Sequence, residues 1–251
     1  GLKANGIGAD CINSGQSNAY IANVMKRART GEIKILYVAP ERFSSTGFRN
    51  FLNTVRVSLL AVDEAHCISE WGHDFRPEYR NLNVLKELYP YTPLIALTAT
   101  ATEKVRRDIL EHLNIPHARI FVSGFHRENL HIRIIDKKDA FAKLLGLLRG
   151  YKNESVIVYC FSRKETEEIA NDLRLNDFHA LAYHAGMEAS ERKSVQEKFI
   201  NDRVNIITAT IAFGMGIDKP NVRLVVHHTF PKTLEGYYQE IGRAGRDGLR
   251  S

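Results

Sequence analysis

Cysteine is scarce in this sequence, and long apolar runs are missing. The three cysteines among 251 residues, Cys11, Cys67 and Cys160, are widely spaced and follow neither a CxxC nor a metal-ligand pattern. They are too few for a disulfide framework, which predicts a reducing, intracellular setting. No apolar run approaches the roughly 18 residues that a membrane-spanning helix needs, and residues 1–10 lack the design of a signal peptide. We therefore expect a soluble protein that does not bind membranes.

The sequence also lacks a strong charge bias. It has 35 Lys and Arg against 29 Asp and Glu, a formal net charge of +6, and both halves share the excess equally. With 44% hydrophobic and 25% charged residues, the composition is that of a globular protein and not of a disordered or fibrous one. A modest basic excess is compatible with a polyanionic partner but does not establish one.

Short apolar runs predict buried strands, separated by stretches with helical periodicity. The predicted strands are Ile33–Val38, Val57–Val62, Leu94–Thr98, Ser155–Cys160, Val204–Thr208 and Val222–His227. The predicted helices are Thr102–Leu113, Asp139–Leu148, Arg163–Leu175 and Glu188–Ile200. This alternation is typical of an α/β fold, with parallel sheets covered by helices on both faces. The pattern weakens between Gly124 and Lys138, so we predict two α/β domains, 1–126 and 127–251.

Two adjacent carboxylates follow one of the predicted strands. The apolar run Val57–Val62 leads directly into Asp63, Glu64, Ala65 and His66. Ligands of open parallel sheets bind beyond the carboxyl ends of the strands. In a nucleotide hydrolase, an aspartate at this position holds Mg²⁺ and a neighbouring glutamate orients and deprotonates water. The alternative is a strand that simply ends in solvated acids.

A second predicted strand ends in the hydroxyls of Thr98 and Thr100. These hydroxyls can hydrogen-bond toward the carboxylates. A second role, compatible with the first, is that they cap the helix that begins near Thr102.

The tract Gln239–Gly248 combines arginines with glycines. Arg243 and Arg246 are three residues apart, one helical turn, which predicts guanidinium groups on the same side. Gly242 and Gly245 allow close backbone approach. Two arginines held in this way form a phosphate clamp, and the alternative is a solvated helix end.

Together these segments resemble a known family. Motifs II, III, V and VI of superfamily 2 helicases are similar to Asp63–His66, Thr98–Thr100, Thr208–Asp218 and Gln239–Gly248. The segment Cys67–Arg80 resembles the aromatic-rich loop of the RecQ family of DNA helicases. The resemblance implies two RecA-like domains in tandem. It also implies an ATP-dependent helicase that unwinds duplex DNA with 3′→5′ polarity in repair and recombination.

The resemblance assigns roles around ATP and Mg²⁺. Asp63 would coordinate Mg²⁺, Glu64 would be the catalytic base, and His66 would couple the ATP site to the DNA site. Arg243 and Arg246 would reach the γ-phosphate of ATP bound mainly to the first domain. The remaining implied residues are Gln239 among the catalytic groups, and Gly216 and Asp218 at the nucleotide cleft.

Aromatic and basic residues alternate in the loop after the DEAH sequence. Trp71, Phe75 and Tyr79 interleave with Arg76 and Arg80, a pattern that suits base stacking with phosphate contacts alongside. Alternatively, Trp71 and Phe75 pack into a local core. The resemblance adds a further set of residues along the nucleic-acid backbone: Pro40, Glu41, Arg42, Ser162, Arg163, His184, Gly186 and Thr208.

No Gly-x-x-x-x-Gly-Lys-Ser/Thr P-loop is present in the chain, and the nearest glycine-rich run, Gly1–Gly8, lacks Lys-Ser or Lys-Thr. By resemblance, we expect that the chain starts inside the first RecA-like domain and that it hydrolyses ATP negligibly by itself. We expect zinc only in a segment beyond Ser251.

The expected partners are single-stranded and forked duplex DNA, with a single-strand-binding protein or recombination proteins as further candidates. The expected location is the cytoplasm (nucleoid) of a bacterium or the nucleus of a eukaryote. Two alternatives remain open. One is an RNA-remodelling helicase, and the other is a nucleic-acid-binding module that no longer hydrolyses ATP.

Overall fold

The computed structural model describes residues 2–72, 74–124, 126–214 and 217–251. The chain forms two compact units, Gly1–Phe121 and Val122–Ser251. Across the described ranges, no helix combines the length and hydrophobicity needed to cross a bilayer.

The first unit contains two pairs of parallel strands. They are β1 (Ala9–Ile12) with β2 (Ile35–Val38), and β3 (Leu60–Val62) with β4 (Leu94–Ala96). The α-helices are α1 (Asn18–Arg29), α2 (Thr46–Leu52), α3 (Val84–Leu88) and α4 (Glu103–His112). Short 3₁₀ helices cover Leu2–Asn5, Pro40–Ser44, Ala65–Ile68 and Pro77–Asn83. Both strand pairs share one core, because Ile12 and Val62 are buried in the same cluster as Phe48 and Phe51.

A buried carboxylate anchors β1 to α1. Asp10 accepts hydrogen bonds from the Tyr20 hydroxyl at 2.6 Å and from the Arg27 guanidinium at 2.9 Å, and Lys3 lies at 3.2 Å. The Tyr20 hydrogen bond is the largest cause that lowers the pKa of Asp10 to about 2. A buried charge is costly unless it is paired, so these partners fix the strand against the helix.

The second unit contains a four-stranded parallel sheet with the order β6-β7-β5-β8. The strands are β5 (Ser155–Tyr159), β6 (Ala180–Tyr183), β7 (Ile206–Ala209) and β8 (Val222–His227). The helices are α5 (Ala140–Arg149), α6 (Arg163–Leu175), α7 (Ala189–Ile200) and α8 (Leu234–Ile241). Alternate residues of β5 enter two different cores: Val156 and Val158 pack with Leu173, while Ile157 packs with Phe199. Helices therefore cover both faces of this sheet, as the alternation of elements predicts.

The six predicted strands and four predicted helices are present, with bounds shifted by a few residues. The sequence patterns missed β1, β6 and the helices α1, α2, α3 and α8. In β1 the charged Asp10 interrupts the apolar run, and β6 contains no β-branched residue. Neither strand carries the composition that marks a buried strand.

Candidate functional site

The two carboxylates of the DEAH sequence lie directly beyond the carboxyl end of β3. Asp63 is exposed, and its Oδ1 accepts a hydrogen bond from the Glu64 backbone N–H at 2.9 Å. Glu64 has a φ of 48°, in the left-handed region. Such a conformation is uncommon for a residue other than glycine and clusters at functional sites. The turn leads into the 3₁₀ helix Ala65–Ile68, whose residues are all buried.

His66 connects Glu64 to the end of β4. Its buried Nδ1 lies 2.9 Å from Thr98 Oγ1 and 3.4 Å from Glu64 Oε2. The single hydroxyl proton of Thr98 is donated to the Thr100 carbonyl oxygen at 3.0 Å. Nδ1 of His66 is therefore the donor to Thr98. The predicted link from the hydroxyls that follow β4 toward the carboxylates is present for Thr98 alone, and it passes through His66.

The predicted role of Thr98 and Thr100 as helix caps is wrong. Thr102 is the N-cap of α4, and its side chain accepts from the Val105 N–H. Thr100 is buried, and its Oγ1 has no hydrogen-bond partner among the described residues.

The aromatic-rich loop folds back onto the segment that carries His66. The backbone N–H of Gly72 donates to Ser69 O, and that of Arg76 donates to Cys67 O, each at 2.9 Å. A side chain at Gly72 would collide with the carbonyl oxygen of His66. The described residues of the loop therefore pack tightly against the segment that carries His66.

The rings of this loop have different environments. Trp71 is 66% exposed, and the Lys104 ammonium lies 3.0 Å from its ring centroid. Phe75 is half-buried beneath the guanidinium of Arg80, 5.0 Å away. Tyr79 packs against the core, and burial raises its pKa to about 12. Tyr79 therefore packs into the core, whereas Trp71 does not.

Local acids pair with the arginines of the loop. Arg76 donates to Asp74 at 2.6 Å, and Arg80 donates to Glu70 at 2.9 Å. Arg42, in the 3₁₀ helix Pro40–Ser44, donates to the Asn13 carbonyl oxygen. Its buried Nε has no hydrogen-bond partner within the described ranges.

Arg243 and Arg246 lie on turns and not on a helix, so that part of the prediction is wrong. α8 ends at Ile241, with Gly242 as its C-cap. Gly245 then has a φ of 56°, a conformation that ends helical structure and favours glycine.

Both guanidinium groups nevertheless reach the loop that follows β7. A Cβ atom at Gly214 would lie 2.9 Å from Arg243 Nη2, so this guanidinium packs directly on the glycine. Arg246 Nη1 donates to Asp218 at 2.9 Å and to Ile217 O at 3.2 Å. Gly216, also assigned to this loop, lies outside the described residues, and Gln239 is half-buried on α8.

Four of the predicted nucleic-acid contacts lie beyond β5 and β6. Ser162 is the N-cap of α6, and its Oγ accepts from the Glu165 N–H at 3.1 Å. Arg163 is exposed and packs on Gly186, where a Cβ atom would lie 2.8 Å from Nη1. His184 Nε2 lies 2.9 Å from Glu167 Oε1.

Thr208 does not belong to this surface. Its side chain is fully buried in β7, and its hydroxyl donates to Thr166 O at 2.9 Å. The prediction that Thr208 contacts nucleic acid is therefore wrong for this residue, which stabilises the packing of α6 on the sheet.

Two halves of the chain match two helicase families. Residues 3–109 match the family described as DEAD/DEAH box helicase, and residues 136–248 match the helicase conserved C-terminal domain. The helicase Lhr of Mycobacterium smegmatis, solved with ssDNA and AMP-PNP, superposes with a TM-score of 0.70 at 19% identity. This comparison covers 96% of the chain and 33% of Lhr, and it shows the fold alone.

Curated relatives are considerably closer in sequence. The ATP-dependent DNA helicase RecQ of Pasteurella multocida is 48% identical over 248 residues, which are 99% of this chain and 39% of that protein. RecQ of Bacillus subtilis is 46% identical over 253 residues, which are 100% of this chain and 42% of that protein. The chain thus spans about two fifths of the length of these relatives.

The fold, the DEAH turn and the arginine-bearing turn define a superfamily 2 helicase core built from two RecA-like units in tandem. Within that class, the chain belongs to the RecQ family.

Proposed function

We propose that the protein is an ATP-dependent DNA helicase that couples ATP hydrolysis to 3′→5′ unwinding of duplex DNA in repair and recombination. The observation that carries the proposal is the compact segment 63–76. In this segment His66 contacts an acid suited to activating water, and its carbonyl oxygen packs against Gly72, which directly follows the exposed Trp71. The relatives named ATP-dependent DNA helicase RecQ support the reaction. ATP-dependent separation of a forked DNA duplex tests it.

The acidic pair suits a magnesium nucleotide. Mg²⁺ is held in phosphate-transfer sites by one or two carboxylates together with substrate phosphates, and the exposed carboxylate of Asp63 is such a ligand. Mg²⁺ would neutralise charge that develops on the phosphates. Glu64 is the candidate base that accepts the proton of the attacking water. His66 contacts both the Glu64 carboxylate and the Thr98 hydroxyl, so it connects the two side chains.

Arg243 and Arg246 are the candidates for binding the phosphates of the nucleotide. The present partner of Arg246 is Asp218, whose side chain is 90% exposed. An ion pair of this kind adds little stability, so a triphosphate can replace Asp218 at small cost. Arginine also binds phosphate oxygens in a bidentate manner.

Trp71 is the candidate platform for a DNA base. A base stacked on an aromatic ring gains about 1–3 kcal/mol and needs no particular sequence. In the second unit, Ser162 and Arg163 lie at the N-terminus of the 13-residue helix α6, an end of the helix where the dipole favours a phosphate. The same chemistry would bind a single strand along its backbone.

We expect Trp71→Ala to uncouple DNA binding from hydrolysis. DNA-stimulated kcat for ATP should fall at least about tenfold, because the stacking energy of one base, about 1–3 kcal/mol, no longer contributes to the transition state of hydrolysis, while hydrolysis without DNA stays within about twofold. The measurement is phosphate release by the full-length protein with and without single-stranded DNA. The matched control is Tyr91→Ala, which removes a ring that is 97% exposed outside this loop. Unchanged stimulation in Trp71→Ala would remove Trp71 from the DNA contact.

The proposed partners are single-stranded and forked duplex DNA. The Lhr structure supports nucleic-acid binding by this fold, because that protein is bound to ssDNA. We also propose an intracellular location, in the cytoplasm of a bacterium or the nucleus of a eukaryote, where DNA is available.

A further inference from the structure

The arginine-bearing turn is held by the segment 127–131, which precedes it by more than a hundred residues. Arg127 Nη2 donates to Gly245 O at 2.6 Å and to Ala244 O at 3.3 Å. Asn129 Nδ2 donates to Gly245 O at 2.8 Å and to Leu249 O at 2.9 Å. Two side chains thus satisfy three carbonyl oxygens on either side of Arg246.

Backbone hydrogen bonds extend the same contact. The His131 N–H donates to Ser251 O at 2.8 Å, and the Ser251 N–H donates to Asn129 O at 2.9 Å. Arg127 Nε also donates to Asn129 Oδ1 at 3.2 Å, which orients the two side chains together. A side chain at Gly245 would collide with the amide of Asn129. The segment 127–131 and the turn therefore pack so closely at position 245 that only glycine fits there.

The opposite side of the turn is fixed by β8. The Gly245 N–H donates to Val222 O at 2.9 Å. Arg223, 9% exposed, donates to Asp247 Oδ2 at 2.5 Å, and this guanidinium holds the pKa of Asp247 below its usual value. Arg246 itself remains exposed between these two anchors.

The turn needs such anchors because it has no regular structure of its own. Residues 242–247 form turns, so their carbonyl oxygens lack the repeating partners of a helix. A buried carbonyl oxygen without a donor costs about 1–3 kcal/mol. Removing Arg127 would take away the described side-chain donor to the carbonyl oxygen of buried Ala244, and removing Asn129 would leave the Leu249 carbonyl oxygen with only a 3.5 Å contact from Ser251 Oγ. In either variant Gly245 O keeps the Gly248 N–H and one side-chain donor but loses the other, so the turn loses part of its anchoring.

We infer that Arg127 and Asn129 are positioning residues for catalysis, which fix the backbone of the turn so that Arg246 is aimed at the nucleotide. This inference rests on the proposed function, in which Arg246 binds the nucleotide phosphates. Neither residue needs to touch ATP. The described part of the segment 122–138 forms neither helix nor strand, so its hydrogen bonds to the turn give this stretch a defined position.

A double-mutant cycle in the full-length protein tests the inference. DNA-stimulated kcat for ATP should fall about tenfold in Arg127→Ala, while the KM for ATP and the affinity for single-stranded DNA stay within about twofold. Arg127→Lys, which keeps one donor group, should retain more activity. In an Arg246→Ala background, adding Arg127→Ala should lower kcat by less than about twofold, because a residue that acts through Arg246 has nothing left to position.

Arg133→Ala is the matched control, since Arg133 is an exposed arginine of the same stretch, and it should leave kcat unchanged. If Arg127→Ala lowers the melting temperature strongly, Asn129→Ala takes its place in the cycle. Normal kcat in Arg246→Ala would contradict the proposed function. A large loss of kcat in Arg246→Ala, together with normal kcat in Arg127→Ala and Asn129→Ala, would overturn the positioning role and leave the proposed function standing. The inference would also be overturned if the loss of kcat in the double variant equalled the product of the losses in the two single variants.

Discussion

We expect Glu64→Gln to lower the rate of ATP hydrolysis by about 10²–10⁴-fold, the usual contribution of a general base, while the protein still binds nucleotide. The amide has nearly the shape of the carboxylate but cannot accept a proton from water. The contact between residue 64 and His66 Nδ1, 3.4 Å from Glu64 Oε2, keeps the substituted side chain near its original place. The measurement is steady-state phosphate release with single-stranded DNA, together with the Kd of a fluorescent ATP analogue.

Glu87→Gln is the control for this variant. Glu87 is an exposed glutamate on α3, so its substitution should leave both hydrolysis and nucleotide binding unchanged. If Glu64→Gln hydrolyses ATP at a near-normal rate, Glu64 is not the base and another group must activate the water.

We expect Arg246→Ala to lower kcat for DNA-stimulated ATP hydrolysis by about 10³–10⁵-fold, the range of arginine fingers in phosphoryl transfer. The larger part of the loss falls on kcat rather than KM, because the guanidinium binds the charge that grows in the transition state more strongly than the phosphates of bound ATP. Arg246→Lys should recover little, since an ammonium lacks the planar fork of donors. The separation of kcat from KM in steady-state titrations of ATP tests both statements.

The matched control is Arg250→Ala. Arg250 is an exposed arginine four residues further along, and only its backbone carbonyl oxygen takes part in a described hydrogen bond, from Arg223. Its substitution should change kcat less than about twofold. An Arg246→Ala protein with kcat equal to that of Arg250→Ala would exclude Arg246 from the reaction.

The α/β architecture was predictable because its strands are buried on both faces. In β5, every residue is buried, which produces the continuous apolar run that predicts a central parallel strand. β1 was missed because it contains Asp10, whose charge is stabilised by Arg27, a residue 17 positions away. Such a partner is a tertiary contact that no local pattern contains.

The chemistry of the site was only partly predictable. The DEAH turn follows from an apolar strand that ends in acids, and His66 indeed contacts both Glu64 and Thr98. Residue types do not reveal which way a side chain faces, and Thr208 was misassigned for that reason. Spacing alone suggested a helical turn for the arginine pair, whereas α8 already ends at Ile241 and residues 242–247 form turns.

Some contributors were beyond the reach of sequence patterns. Lys104 lies over Trp71 although 33 positions separate them, and Arg127 binds the carbonyl oxygen of Gly245 across 118 positions. Both contacts depend on how distant elements pack. A spacing rule covers only neighbours along a helix or strand.

Coupling of ATP hydrolysis to DNA unwinding is the central claim, and strand separation measures it most directly. The full-length protein is mixed with a forked DNA duplex bearing a 3′ single-stranded tail, and release of the labelled strand is followed after ATP and Mg²⁺ are added. The expected result is rapid release with ATP, and none with a non-hydrolysable analogue, with the Glu64→Gln protein or with a 5′ tail alone. Release that needs no hydrolysis, or release from an RNA duplex but not from DNA, would contradict the claim.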